Sequence, residues 1–138
     1  MNAKYIQLSP ESKLPDISAY KPFLAVLVIE EHVTPGWREA VSQWLVGSGC
    51  KIMLSWGTEL PAWTDAVDLA NIAQFDNGEI PEDELVLAGE YEQISLEQFI
   101  KEAKFTATQD CADFTNTLII HISEGSREQE LLAIYSRA

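Results

Sequence analysis

The middle of the chain lacks basic side chains. Residues 52–100 contain no Lys or Arg, although the protein has nine in all, and the same window carries eleven carboxylates. These are Glu59, Asp65, Asp68, Asp76, Glu79, Glu82, Asp83, Glu84, Glu90, Glu92 and Glu97. A surface built from this window repels nucleic acid and anionic membranes and attracts basic proteins. The net charge of −13 acts in the same direction. We therefore expect no nucleic-acid or membrane partner.

Cysteine is scarce, since the sequence contains only Cys50 and Cys111. Neither belongs to a CxxC motif or adjoins a histidine, so neither a metal site nor a catalytic thiol is indicated. A small secreted scaffold would carry more cysteines. We expect two reduced thiols in a cytoplasmic protein, with a single disulfide between them as the alternative.

Long apolar runs are also missing. The longest, Phe23–Ile29, has seven residues, whereas a membrane-spanning helix needs about 20. Residues 1–13 contain no apolar core of the kind found in a secretory signal. Together with the cysteine content, these features predict a soluble cytoplasmic protein.

Three motifs that mark common enzyme classes are absent from the sequence. No GxGxxG follows the first apolar run, and no GxxxxGK[ST] loop occurs, so dinucleotide and nucleotide sites lose their main support. No GxSxG nucleophile elbow is present, which disfavours a hydrolase of that type. We therefore expect no cofactor.

Four apolar runs alternate with four helical patterns, which is typical of a parallel sheet with helices on both faces. The predicted strands are residues 23–29, 51–56, 84–88 and 117–122. The predicted helices begin after Thr34-Pro35, near Pro61, at Ser95 and at Ser126. The first start combines an N-cap residue with a proline, and the last two have capping-box patterns.

These elements predict one small doubly wound (β/α)4 domain over residues 1–138. Residues 1–20 are expected to be irregular, although residues 5–8 would fit a short edge strand. Right-handed crossovers favour the strand order 2-1-3-4. The first strand is apolar at every position, so it needs a neighbour on each side. An apolar fourth strand at the sheet edge would also allow a homo-oligomer.

In such sheets ligands bind beyond the carboxyl ends of the strands, where the winding reverses. With the predicted order, that point lies between the first and third strands. The polar and aromatic residues at the strand ends form a hypothetical ligand-binding rim. Its members are Glu30, His32, Trp56, Thr58, Glu90 and Ser123.

Two side chains of this rim, Glu30 and His32, offer acid–base or metal-binding chemistry, because alternate residues of an extended segment share a face. The alternative is an ordinary polar turn before a helix. Trp56 could stack on a planar ligand or pack as core. His121, inside the fourth strand, is expected to be a hydrogen-bonded neutral residue rather than a ligand.

Acidic residues are most concentrated in the segment 76–84, which has five acids in nine residues. It lacks the spacing of a calcium-binding EF-hand, so no metal site is predicted. Asp65 and Asp68 are three residues apart and share one helix face. The predicted partner-binding surface therefore consists of Asp65, Asp68, Asp76, Glu79, Glu82, Asp83 and Glu84.

Several local patterns resemble a family of small bacterial proteins classed only as a domain of unknown function. They are the Trp-Gly pair after the second strand, the Asp-Ala-Val helix start, the Phe-Asp-x-Gly-x-Ile-Pro turn and the Ile-Ile-His-Ile strand. The resemblance covers about residues 22–123. It implies a bacterial cytoplasmic origin and an α/β fold, and it brings no activity or catalytic residue.

Two hypotheses about function follow. The first is a non-enzymatic binding protein, similar in kind to an inhibitor or immunity protein, that docks a basic partner through its acidic surface. Such a partner could be a nuclease, a toxin or a nucleic-acid-binding protein whose site is mimicked. The second is a small enzyme or ligand sensor that uses the rim. An acidic rim would repel phosphorylated ligands, which favours the binding protein.

Overall fold

The computed structural model describes residues 3–75, 79–81, 84–108 and 116–138. These residues form five strands and four helices, with a short 3-10 turn at Ser18–Tyr20. In chain order the elements are β1 (Ala3–Leu8), β2 (Phe23–Ile29), α1 (Pro35–Gly47), β3 (Cys50–Gly57), α2 (Leu60–Ala73), β4 (Leu87–Tyr91), α3 (Leu96–Ala107), β5 (Asn116–Ile122) and α4 (Glu128–Arg137). The α/β fold class is confirmed, and β1 is the edge strand that residues 5–8 would fit.

The five strands are all parallel, in the order β1-β5-β2-β3-β4. β2 lies in the centre and is buried at all seven positions. It has a neighbour on each side, as its uninterrupted apolar sequence predicts.

The predicted strand order 2-1-3-4 is wrong. The third predicted strand corresponds to β4, which lies outside β3, and the fourth corresponds to β5, which pairs with β2. The physical reason is burial. β5 is buried at six of its seven positions and needs two neighbours, whereas β4 has no buried residue and suits an edge. Because β5 is interior, it provides no open edge for a homo-oligomer.

The third predicted strand also begins too early, since β4 starts at Leu87 and not at residue 84. The buried side chain of Asn71 explains the difference. Its Oδ1 accepts a hydrogen bond from the Val86 N–H at 2.9 Å, and its Nδ2 donates to the Glu84 carbonyl at 3.1 Å. Residues 84–86 are therefore bonded to α2 instead of to the sheet.

Two apolar cores lie on opposite faces of the sheet. Side chains of β2 alternate between them: Ala25 and Leu27 pack under α1 and α2, whereas Val26 and Val28 pack under α3 and α4. This alternation follows from the two-residue period of a strand. The free thiol of Cys50 is buried in the first core, and burial raises its pKa to about 12. Cys111 lies outside the described residues.

The helix starts follow the sequence signals in two cases. Thr34 caps α1 by accepting a hydrogen bond from the Trp37 N–H, and Ser95 caps α3 in the same way through the Gln98 N–H. The predicted capping box at residues 126–129 is wrong, because α4 begins at Glu128 with Arg127 as its N-cap. The Arg127 N–H donates instead to the Tyr5 hydroxyl, which belongs to β1.

Candidate functional site

The winding of the sheet reverses between β2 and β5, not between the first and third predicted strands. Glu30 directly follows β2, and His121 lies one residue before the end of β5. The Nε2 atom of His121 and Oε1 of Glu30 are 2.5 Å apart. The strand order thus brings together two residues that are 91 positions apart in the chain.

His121 is completely buried, and both of its ring nitrogens have partners. Its Nδ1 lies 2.7 Å from the Tyr5 hydroxyl, which also accepts the Arg127 N–H at 2.9 Å. One assignment satisfies every atom: Tyr5 donates to Nδ1, and Nε2–H donates to Glu30. His121 is therefore a hydrogen-bonded strand residue, in line with its apolar sequence context.

Arg127 closes the arrangement from the start of α4. Its Nη1 lies 3.0 Å from both carboxylate oxygens of Glu30, and its Nε and Nη2 bond Glu130 at 2.7 and 2.6 Å. Burial acts to raise the pKa of Glu30, but the hydrogen bonds from His121 and Arg127 and the charge of Arg127 outweigh it and lower the pKa. Hydrogen bonding to Glu130 is the largest cause that raises the pKa of Arg127.

We call Tyr5, Glu30, His121, Arg127 and Glu130 the switch-point cluster. Each charged or polar group in it is hydrogen-bonded to another member of the cluster. These mutual hydrogen bonds fix β1, β2, β5 and α4 relative to one another. It leaves neither histidine nitrogen open to a substrate.

His32 does not join Glu30. The side chain of His32 is 79% exposed, and its Nδ1 lies 2.7 Å from Glu59 Oε1. Arg38 bonds the other oxygen of Glu59 at 3.1 Å. The hydrogen bond from His32 is the largest of the influences that lower the pKa of Glu59. The two predicted rim residues therefore belong to separate clusters.

Three further rim residues make mainly backbone or surface contacts. The N–H of Thr58 donates to the Ile29 carbonyl, and the N–H of Ser123 donates to the Leu8 carbonyl, both extending the sheet. The Ser123 hydroxyl accepts the Gly125 N–H in a local turn. Glu90 is exposed on the edge strand β4. None of the three contacts the switch-point cluster through a side-chain hydrogen bond within the described residues.

Trp56, the sixth rim residue, lines an open cleft of about 470 Å³ at the ends of β3 and β4. Gly57 allows this end of β3 to form. Its φ is 122°, and a Cβ at this position would lie 1.9 Å from the Ile29 carbonyl oxygen. Any other residue would be strained and would clash with β2.

The acidic surface forms only in part within the described residues. Asp65, Asp68, Glu79 and Glu84 are exposed, whereas the predicted members Asp76, Glu82 and Asp83 lie outside the described part of the chain. Burial, and then repulsion from Asp65, raises the pKa of Asp68. Asp65 thus adds to the proton affinity of Asp68.

Beside these acids, α2 exposes two large apolar side chains. Leu69 is 66% exposed and Ile72 is 44% exposed. Leu69 also borders a groove of about 600 Å³ between α1 and α2, whose α2 wall is built mainly of alanines. Sequence periodicity does not show this, since Leu69 and Ile72 read as ordinary members of an apolar helix.

Sequence reasoning missed Tyr5 and Arg127 as partners of Glu30 and His121. Tyr5 precedes Glu30 by 25 residues and Arg127 follows it by 97, and no local pattern links them. A correct strand order would have been the signal, because it sets β1 beside β5 and pairs Gln7 with His121.

In ranges 3–75, 79–81, 84–108 and 116–138, no three His, Cys, Asp or Glu side chains come together as metal ligands. None of the helices in those ranges combines the length and apolar character that crossing a membrane requires.

A sequence model of one protein family matches residues 3–138, and its description is "Domain of unknown function (DUF7684)". The match confirms the resemblance seen in the sequence motifs and extends it over nearly the whole chain. No curated protein and no solved structure matches the chain.

Proposed function

The chain belongs to the DUF7684 family, whose description names no activity, and we propose that it is a non-enzymatic binding protein for a basic protein partner. The contact surface is the outer face of α2 with the adjoining acidic segment. In this role the protein acts in the manner of an inhibitor or immunity protein in the bacterial cytoplasm.

The observation that carries this proposal is the mixture of exposed apolar and acidic side chains on one helix face. Leu69 and Ile72 stand in solvent beside Asp65 and Asp68. Residues three and four apart adjoin one another on a helix, so each leucine or isoleucine has an acidic neighbour. Stable interfaces combine apolar anchors with a charged rim, and this face supplies both.

The groove between α1 and α2 gives the proposed surface a concave site that can receive a side chain of the partner. Its α2 side is lined by small side chains, among them Ala62, Ala66 and Ala73, with Leu69 at its border. Small residues leave room for a side chain of the partner to enter between the helices. An apolar anchor from the partner can therefore be buried here.

The carboxylates on this face of α2 favour a positively charged partner. No described basic side chain forms an ion pair with Asp65, Asp68 or Glu84. Unneutralised carboxylates accelerate encounters with a cationic protein, and salt weakens this effect.

The alternative, an enzyme at the rim, has less support from the same structure. The groups best suited to acid–base chemistry, Glu30 and His121, are hydrogen-bonded to each other, and Arg127 covers the carboxylate. His32 is paired with Glu59 at the surface. We therefore propose binding and not catalysis.

The test uses the protein as bait in a lysate of its source cell, with elution by a gradient from about 50 to about 500 mM salt. Three variants are compared with the unaltered protein: Asp65→Asn with Asp68→Asn, Leu69→Ser, and a control with Glu124→Gln and Glu128→Gln. The control removes the same number of charges from exposed positions elsewhere.

We expect a basic protein that the unaltered bait and the control retain equally. The double asparagine variant should release it at lower salt, and Leu69→Ser should lose it throughout the gradient. Thermal melting must show that all variants are folded. Equal retention by all four baits, or elution that does not depend on salt, would refute the proposal.

A further inference from the structure

The cleft beside Trp56 differs from the acidic face of α2 because its walls are aromatic. Trp56 and Tyr91 are directly opposite each other in the register of β3 and β4, so their side chains point to the same side of the sheet. Both are half-buried and line the cleft. The first residues of α2, Leu60 and Pro61, complete an apolar wall.

The two rings are held in place before any ligand arrives. Phe99 of α3 stacks against Trp56 at a centroid distance of 6.4 Å and contacts Tyr91 in a tilted arrangement at 5.4 Å. The indole Nε1–H of Trp56 donates to the Ile94 carbonyl at 2.8 Å. A ligand would therefore meet rings that lose little freedom on binding.

The charged side chains that line the cleft are all acidic within the described residues. Glu59 and Glu92 line it, and its described lining residues include no Lys, Arg or His. Glu59 is already paired with His32 and Arg38, whereas Glu92 has no ion-pair partner among the described residues. Repulsion from Glu102 also contributes, after burial, to the raised pKa of Tyr91.

We infer that this cleft is a binding site for an organic cation, a guanidinium or an alkylated ammonium group. The faces of Trp and Tyr rings attract such cations, and a nearby carboxylate adds to the attraction. Anions are repelled by Glu92, which has no ion-pair partner among the described residues. A neutral aromatic ligand would gain nothing from the carboxylates, so cations are the favoured class.

The cation has two sources, an arginine or lysine side chain of a protein partner or a free small molecule. Both present the same chemistry to the rings. The inference does not depend on docking at α2, because a cation can bind here whether or not a protein covers Asp65 and Leu69.

The test is a titration of ¹⁵N-labelled protein with N-acetyl-arginine amide, followed by NMR. N-acetyl-citrulline amide is the matched probe, since a neutral ureido group replaces its guanidinium. We expect the arginine probe to shift the indole signal of Trp56 and the backbone amides of Tyr91 and Glu92, and the citrulline probe to leave them in place. Equal shifts with both probes, or none with either, would overturn the inference.

Substitutions of residues that line the cleft test whether the cation binds there. Glu92→Gln changes an exposed side chain and should weaken arginine binding by roughly threefold to fivefold, and Tyr91→Leu by at least as much. Glu124→Gln, at another surface, should have no effect. If Glu92→Gln and Tyr91→Leu both bind the arginine probe like the unaltered protein, the cation lies elsewhere and the inference fails.

Two more probes identify the source. Agmatine represents a free cation, and a pentapeptide with Arg at its centre between two lysines represents a protein partner. Binding of the peptide that is tighter by about tenfold or more assigns the site to a partner side chain. Equal or tighter binding of agmatine assigns it to a small molecule. Failure of both to bind would contradict the inference even if a partner protein is captured through α2.

Discussion

Charged side chains at the switch point are bonded to one another, whereas Asp65 and Asp68 of α2 are exposed and form no ion pair with a described basic residue. Glu30 lies within 3.0 Å of Arg127 and 2.5 Å of His121. Burial, and then repulsion from Asp65, raises the pKa of Asp68. Carboxylates of one chain are thus stabilised in one region and destabilised in the other.

The contrast shows which region holds the fold and which region is available for contact. Hydrogen bonds tie four elements together at the switch point and leave neither ring nitrogen of His121 open to a ligand. The segment beside the acidic region is held differently, because the buried amide of Asn71 bonds residues 84–86 to α2. Changes in these regions should therefore separate stability from binding.

The largest effect should come from His121→Ala. This change empties a fully buried position and leaves Tyr5 and Glu30 without their shared partner. We expect a loss of roughly 3 kcal/mol in the free energy of unfolding, measured by urea denaturation. His32→Ala is the matched control, because the other histidine is exposed and should change stability by less than about 0.5 kcal/mol. Similar losses for both would remove the distinction between the regions.

Asn71→Ala should have the next largest effect. The N–H of Val86 and the carbonyl of Glu84 would lose their side-chain partner in a buried setting. The expected loss is about 2 kcal/mol, with faster hydrogen exchange at the Val86 amide. Gln74→Ala, which removes an exposed partner of the same amide, is the control. Unchanged exchange at Val86 would show that Asn71 does not anchor the acidic segment.

Much of the fold follows from local sequence. The uninterrupted apolar run of β2 predicts a central strand, and Thr34 before Pro35 predicts the start of α1; both are confirmed. The strand order is not encoded locally in the same way. The near-continuous apolar run of β5 was the available signal for an interior position, and the acids around residue 84 were the signal for an edge.

The candidate sites depend on that order and so were less accessible. Glu30 is predictable as a strand-end residue, but its partners come from β1, β5 and α4. The pairing of Trp56 with Tyr91 likewise requires β4 to lie beside β3 and to extend past residue 88. Composition alone, in contrast, predicts an acidic surface, because no basic residue occurs in its window, and this surface stays a prediction.

A smaller effect, with a defined pH dependence, is expected for Glu30→Gln. The pKa of Glu30 is lowered in the folded state from its ordinary value of 4.5, so the carboxylate contributes stability above that value. This contribution is lost as the pH falls through the folded-state pKa. Glu30→Gln should cost about 1 kcal/mol at pH 7 and progressively less below pH 4.5. Parallel stability curves for variant and unaltered protein across that range would contradict it, and Glu124→Gln serves as the control.

The smallest effect should have the opposite sign. Because the pKa of Asp68 is raised in the folded state, the folded protein binds this proton more tightly than the unfolded chain, and the ionised carboxylate opposes folding at neutral pH. Asp68→Asn should therefore stabilise the protein at pH 7 by roughly 0.2–0.5 kcal/mol. The gain should disappear as the pH falls below the folded-state pKa, where the native side chain is also neutral.

The same substitution sharpens the comparison, because binding and stability should move in opposite directions. Asp68→Asn removes repulsion from Asp65, yet it also removes a charge that a basic partner would contact. Thermal melting at low ionic strength, where such repulsion is largest, measures the first effect, and the salt needed for elution measures the second. A destabilised Asp68→Asn protein would mean that the acidic face holds the fold like the switch-point cluster does. A stabilised protein with weaker capture would mean that α2 keeps its unneutralised charge for a partner at the expense of its own stability.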